Sequence, residues 1–274
     1  MSTYQFTADD ADIILRASRS DAPREFRVHK IILSLASPVF KDMFSIPQPS
    51  SSTTFVECAV PTIDVDDTPG DLEALLRMIY PFGSPPLPTL DEISRVFIIL
   101  DKYEVQGGPV QLLKSLLASS EFLKKDPIRV YSIACRWKLK EEADLAAPYT
   151  SSLDVLSCVR EEDIRWMTGM EYHRILMLEK GRRARSTSVI FTTPAACSGC
   201  PSYKNFYVEF RRNLSQSFNS DHRPFYDHGK CIVRCFEIAM ELKESGQTLG
   251  CGTSRDSHLG SFIQTLAEEL SSPF

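Results

Sequence analysis

The chain has 274 residues, 43% of them hydrophobic and 24% charged, and a formal net charge of −5. That is enough chain for one large globular domain or two small ones. The acidic balance speaks against a nucleic-acid groove, and no stretch reaches the ~18 consecutive apolar residues that a membrane span needs. Charge is uneven: residues 1–110 hold 9 Lys+Arg against 16 Asp+Glu, a net of −7, and the remainder is near +2, which suggests two units. The N-terminal MSTYQFTADD is acidic and polar, unlike a secretion signal. Eight unevenly spaced cysteines in a chain of this size are therefore expected as reduced thiols, in the cytoplasm or nucleus.

In chain order, DIILRAS alternates, with Ile13, Leu15 and Ala17 on one face and Ile14 and Arg16 on the other, as in a half-buried strand. SRSDAPR is turn chemistry and EFRVH is the return strand, so residues 12–29 read as a hairpin. The pattern predicts a helix over Lys30 to Ala36 and a second one opened by Ser37 as N-cap and Pro38 in the first turn. IPQPSSSTT, residues 46–54, is a Pro/Ser-rich loop. Strand-like alternation passes through Ile63 and Val65. A helix capped by Asp67 or Thr68 then carries Leu72, Leu75, Leu76 and Ile79. Two more helical patterns run through Ile93–Leu100 and Leu112–Leu117, separated by QGGP. A hairpin cannot stabilise itself and needs helices over its apolar face. The expectation for 9–120 is an α+β domain, a small β-sheet capped by a helical cluster.

ADIILRA, FRVHKIILSLASPVFKDMF and IDVDDTPGDLEALLRMIYPF, in that order, resemble a BTB/POZ domain. The resemblance covers residues 9–120. In that family an Asp on the first strand and the basic residue after the His lie close together beneath the dimer groove, and Asp12 and Lys30 match those positions. Pairing would give each buried charge an opposite partner. His29, between them, reads as a hydrogen-bonded structural histidine. BTB domains are interaction modules without an active site, and many homodimerise through the first strand region and the helices that follow. Tyr4, Phe6, Ile14, Val39, Phe40, Met43 and Phe44 would supply that surface; the competing reading packs them into their own domain. Some BTB proteins recruit a cullin-type ubiquitin ligase scaffold through a hydrophobic-x-Glu motif after the Met-Phe pair. Ile46 is present here, but no Glu stands where the motif needs one.

Residues 121–274 read as a mainly α-helical extension. Asp126 and Pro127 open one helix, LKEEADLAA begins another, and REEDIRWMTGMEYHRILMLEKGRR is a short helix, a Thr-Gly break and a longer helix. DPIRVYSIACRWKLKEEADLAA is similar to the helical extension of fungal BTB proteins, and stacked helix pairs of that kind offer a long partner surface. KGRRARS, residues 180–186, is the one basic cluster. It reads as a solvated helix C-terminus favoured by the helix dipole, or alternatively as a nuclear-import signal.

Within the Cys-containing segment 190–240, Cys197-Ser-Gly-Cys200 follows a strand-like SVIFTT. Cys231 and Cys235 share a helix face, so the four thiols could close a tetrahedral zinc site. The competing reading makes Cys231 and Cys235 buried core residues. GCGTSRDSHLG lacks the third glycine of a dinucleotide loop and reads as a linker to a final amphipathic helix. The leading expectation is a non-enzymatic interaction protein without a cofactor, forming a homodimer and binding protein partners. A cullin-type ligase adaptor is one alternative. A zinc- or thiol-dependent enzyme is the other; it lacks a paired acid/base group nearby in sequence, with Glu209 and Asp227 as candidates.

Overall fold

The computed structural model describes residues 5–19, 22–46, 60–81, 85–193, 201–221, 228–245 and 255–271, with backbone only at 201–205, 228 and 255–258. The chain divides into two compact units, residues 1–122 and 123–274.

In the first unit, strands β1 (Ile13–Ala17) and β2 (Arg24–Val28) form an antiparallel hairpin with Ile13 opposite Val28 and Ala17 opposite Arg24. A third strand, β3 (Thr62–Val65), joins β1 in parallel, giving the sheet order β2-β1-β3. The alternation in β1 holds: Ile13, Leu15 and Ala17 are buried, while Ile14 and Arg16 are half-buried on the other face. On that second face Arg16 bridges Glu25 of β2 and Asp64 of β3.

Five helices cover the buried face: α1 (Lys30–Ala36), α2 (Pro38–Ser45), α3 (Pro69–Ile79), α4 (Leu90–Lys102) and α5 (Gly108–Leu117). Their starts are written in the sequence. Ser37 accepts from the Phe40 N–H, Thr68 (rather than Asp67) accepts from Asp71, and Thr89 with Glu92 forms a reciprocal capping box. The core joins Phe26, Leu33, Phe40, Leu72, Leu75, Leu76, Ile93 and Leu100 to the sheet. The residues of loop 46–54 beyond Ile46 lie outside the described residues.

The second unit is helical: α6 (Ser120–Lys125) leads into it, followed by α7 (Pro127–Arg136), α8 (Lys140–Thr150), α9 (Val155–Cys158), α10 (Glu161–Trp166), α11 (Gly169–Thr192), α12 (Pro201–Ser220), α13 (His228–Glu244) and α14 (Arg255–Ser271). In α7 every residue from Pro127 to Cys135 is buried. Two sequence expectations are corrected here. SVIFTT is not a strand: residues 188–192 are the last turns of α11, and Ile190 is fully buried in the core formed with α12, α13 and α14. Burial of that side chain outweighs the β-propensity of the run. KGRRARS is likewise not a helix C-terminus but the middle of α11, where Arg182 is buried and Arg183 pairs with Glu179 at 2.7 Å.

α4 and α7 end alike. The residue after each C-cap takes a left-handed backbone, Glu104 at φ 52° and Lys138 at φ 55°. Val105 N–H then donates back to Leu100, and Leu139 N–H to Ala134. This Schellman geometry usually carries glycine, and a side chain there costs about 1–2 kcal/mol.

α7 is pinned by a buried ion pair. Arg129 donates to Asp163 at 2.7 Å, Ser132 donates to the same oxygen at 2.9 Å, and Arg160 meets the other oxygen at 3.0 Å. Arg129 also lies 4.4 Å from the Trp166 ring centroid. Burial alone would raise the Asp163 carboxyl, but hydrogen bonds from Arg129, Arg160 and Ser132 hold it below the usual carboxylate range. A depressed native value means the stabilisation is complete above the unfolded aspartate pKa of about 3.9 and is lost as pH falls through the native one. Asp163→Asn should cost about 3–5 kcal/mol at neutral pH, because it removes the buried carboxylate shared by Arg129 and Arg160 and leaves Arg129 with the more distant, exposed Glu162 at 3.8 Å. Urea denaturation followed from pH 7 down to pH 2 should show the wild-type advantage shrinking in acid; an advantage that does not depend on pH would refute the assignment.

Candidate interaction surface

The seam between β2 and α1 is built from polar contacts. His29, the N-cap residue of α1, makes no capping bond with its own side chain. Asp12, just before β1, takes that role and accepts the Lys30 backbone N–H at 2.8 Å. An anionic oxygen at a helix N-terminus is favourable. The structure thus brings Asp12 and Lys30 together, through carboxylate and amide rather than carboxylate and ammonium. Asp12 is exposed and Lys30 half-buried in the single chain.

His29 donates its backbone N–H to the Tyr80 hydroxyl at 2.8 Å, and its Nδ1 lies 3.2 Å from the same oxygen. Nε2 faces Asp10 at 3.3 Å. Tyr80 ends α3, and its ring meets Phe6 edge-on at 5.4 Å, which in turn meets Phe26 at 6.0 Å. The histidine is a structural junction between the sheet, α1 and α3.

Two residues expected on the outer surface are therefore placed differently. Phe6 is 1% exposed, because its ring fills the gap between Phe26 and Tyr80 while its carbonyl accepts the Arg27 N–H on the β2 edge. Phe40 is fully buried and stacks on Tyr103 at 4.4 Å. Ile14, Val39, Met43 and Phe44 remain half-buried and accessible, and Tyr4 lies outside the described residues. The most exposed apolar side chains of this region are others: Leu35 at 81%, Ile31 at 65% and Ile46 at 62%. Ile31 and Leu35 stand one turn apart on α1, opposite the fully buried Leu33. The unbroken run Ile31-Ile32-Leu33-Ser34-Leu35 contained the signal, since a two-turn helix against one core can bury only one of its sides.

In the second unit Cys231 and Cys235 are fully buried in the apolar core beside Ile238, Leu242, Phe262 and Leu266. The hydrogen bond that the Cys235 thiol makes to Cys231, together with burial, pushes Cys235 far above its ordinary range. Cys197 and Cys200 lie outside the described residues. Among the described residues no three metal-ligating side chains cluster. Glu209 faces Arg212 on the same helix at 3.4 Å, and Asp227 lies outside the described residues. Full burial shields both thiols from solvent, so a thiol-specific reagent should label the exposed Cys158 in the native protein and reach Cys231 and Cys235 only on unfolding. Peptide mapping after brief labelling measures this, and early modification of Cys231 or Cys235 would contradict the packing.

The family model of the BTB/POZ domain matches residues 4–121. A BTB/POZ domain-containing protein of Arabidopsis thaliana is 33% identical over 96 residues, which are 34% of this chain and 41% of that protein. The chain thus spans about two fifths of the length of the curated relative it matches.

Proposed function

Residues 4–121 are a BTB/POZ domain, and from that premise we propose that the chain is a non-enzymatic interaction protein whose first unit pairs with a second copy through the outer face of α1. The supporting observation is the apolar pair Ile31 and Leu35, left in solvent although α1 packs on its own core through Leu33. A two-fold interface sets one patch against its copy, so a small self-complementary apolar patch suffices to seed it. Burying each such side chain is worth about 1.5–3 kcal/mol. Val39, Met43 and Phe44 of α2 and Ile14, half-buried in the single chain, join it in the proposed interface. Asp12 and Lys30 lie at its polar edge, where Asp12 already has the Lys30 N–H as partner, so the carboxylate keeps a hydrogen bond when association removes water.

On this reading the helical second unit holds a partner protein, and the protein works in the cytoplasm or nucleus without a cofactor. Among the described residues no helix is long and apolar enough to cross a membrane. Leu35→Glu with Ile31→Glu should convert a dimer to a monomer in size-exclusion chromatography with light scattering. It should change the melting temperature of the isolated chain little, because both positions are exposed. Wild-type protein that stays monomeric at high concentration overturns the homodimer.

A ligase-adaptor role is the weaker reading, since no Glu follows Ile46 at the recruiting position. A cullin N-terminal fragment should therefore retain no more of this protein than an unrelated bait does; stoichiometric capture would reverse that order.

A further inference from the structure

The turn from α7 to α8 keeps a lysine where glycine would be easier. Lys138 holds the left-handed position at φ 55°, with its N–H donating to Cys135 and the next N–H to Ala134. Strain of this kind points toward a use for the side chain. Lys138 and Lys140 are both exposed, and among the described residues neither ammonium has an ion-pair partner. They stand on the walls of a cleft of about 260 Å³, together with Arg174 of α11. The carboxylates that share these walls are already engaged: Asp144 binds Arg174 at 2.6 Å, and Glu171 accepts the Thr168 N–H at 2.7 Å. The cleft therefore offers two free cations. Its thiol does not add chemistry, because burial pushes Cys135 up to about 12 and keeps it neutral.

Arg174 also lines a second depression, of about 450 Å³, along α11 with Met170, His173, Met177 and Leu178. Met170 is 85% exposed and Met177 49%. Methionine side chains adapt to varied apolar partners. The shared Arg174 joins the basic cleft at the α7–α8 turn to the apolar floor along α11 as one track.

We propose that this track docks a short partner segment combining acidic with apolar side chains, its carboxylates at Lys138 and Lys140 and its apolar groups on Met170, Met177 and Leu178. Charge complementarity selects the acidic part, and the methionine floor selects the apolar part. This goes beyond the reading of the first unit and does not depend on it: the track lies wholly in the second unit, so loss of self-association leaves it intact.

The test is fluorescence anisotropy on the full chain with three labelled 12-residue peptides, one of Glu and Leu, one of Lys and Leu, one of Glu and Ser. The Glu/Leu peptide should bind at least about tenfold more tightly than either of the others, and added salt should weaken it. Lys138→Gly should lower that affinity about fivefold while the melting temperature rises or holds, since glycine suits the backbone there. Met177→Glu should weaken it by a similar factor. Glu104→Gly makes the same backbone change in the first unit, and should raise or hold the melting temperature without touching binding. The proposal is overturned if the Lys/Leu or Glu/Ser peptide binds as tightly, if Lys138→Gly leaves the affinity unchanged, or if Glu104→Gly weakens binding as much. Displacement of the Glu/Leu peptide by millimolar inorganic phosphate as readily as by unlabelled peptide would make the track a plain anion site and also overturn it.

Discussion

Tyr103 ties the first unit together. It follows α4, yet it reaches α2 and the entry to α3 as well. Its carbonyl accepts the Ser37 hydroxyl at 2.6 Å, its ring stacks on Phe40 with the planes 9° apart, and its phenol donates to the buried Asp67. Burial and the Asp67 carboxylate push that phenol far above its ordinary pKa, so it stays a donor at any pH the protein meets. Lys102 closes the network by donating to Asp67 at 2.7 Å. Every polar group drawn into this junction has a partner, which burial requires.

That junction decides what the surface offers. Ser37 lies at the corner between α1 and α2, so fixing it fixes how α1 rolls on the core. Leu33 is turned inward. At about 3.6 residues per turn, Ile31 and Leu35 lie roughly 200° to either side of it and face away. Asp12 and the His29–Tyr80 contact hold the start of the same helix from the other end. The apolar patch read as a docking face therefore follows from a rigid placement and not from a shortage of core. The second unit follows the same logic at Asp163, where Arg129, Arg160 and Ser132 satisfy one buried carboxylate and set α7 against α10.

Much of this was legible in the residues. The hairpin, the corner at Ser37-Pro38, the caps at Thr68 and Asp126 and the break at Thr168-Gly169 all come from local chemistry acting over three or four positions, and local chemistry survives in any context. The Asp12–Lys30 proximity came only from family resemblance. Its nature, a carboxylate capping an amide, depends on atoms eighteen residues apart. Phe6 and Phe40 were harder, because an aromatic ahead of a strand or early in a helix serves a core as well as an interface. Which of the two it serves is set by Tyr80 and Tyr103, far along the chain. SVIFTT misled for the same reason: a β-branched run carries strand propensity, but Ile190 has a helical core to fill.

By itself the sequence determined which segments are strand or helix where a cap, a turn residue or a clear period marks them, and that residues 9–120 follow the BTB/POZ pattern. Tertiary structure alone decided which apolar side chains stay outside, which charges meet carboxylates and which meet amides, and that Cys231 and Cys235 are buried in a helical core. The physical reason is range. Capping and periodicity act within a turn or two, whereas burial is a competition among all apolar groups for a limited interior, and its outcome exists only once the elements have packed.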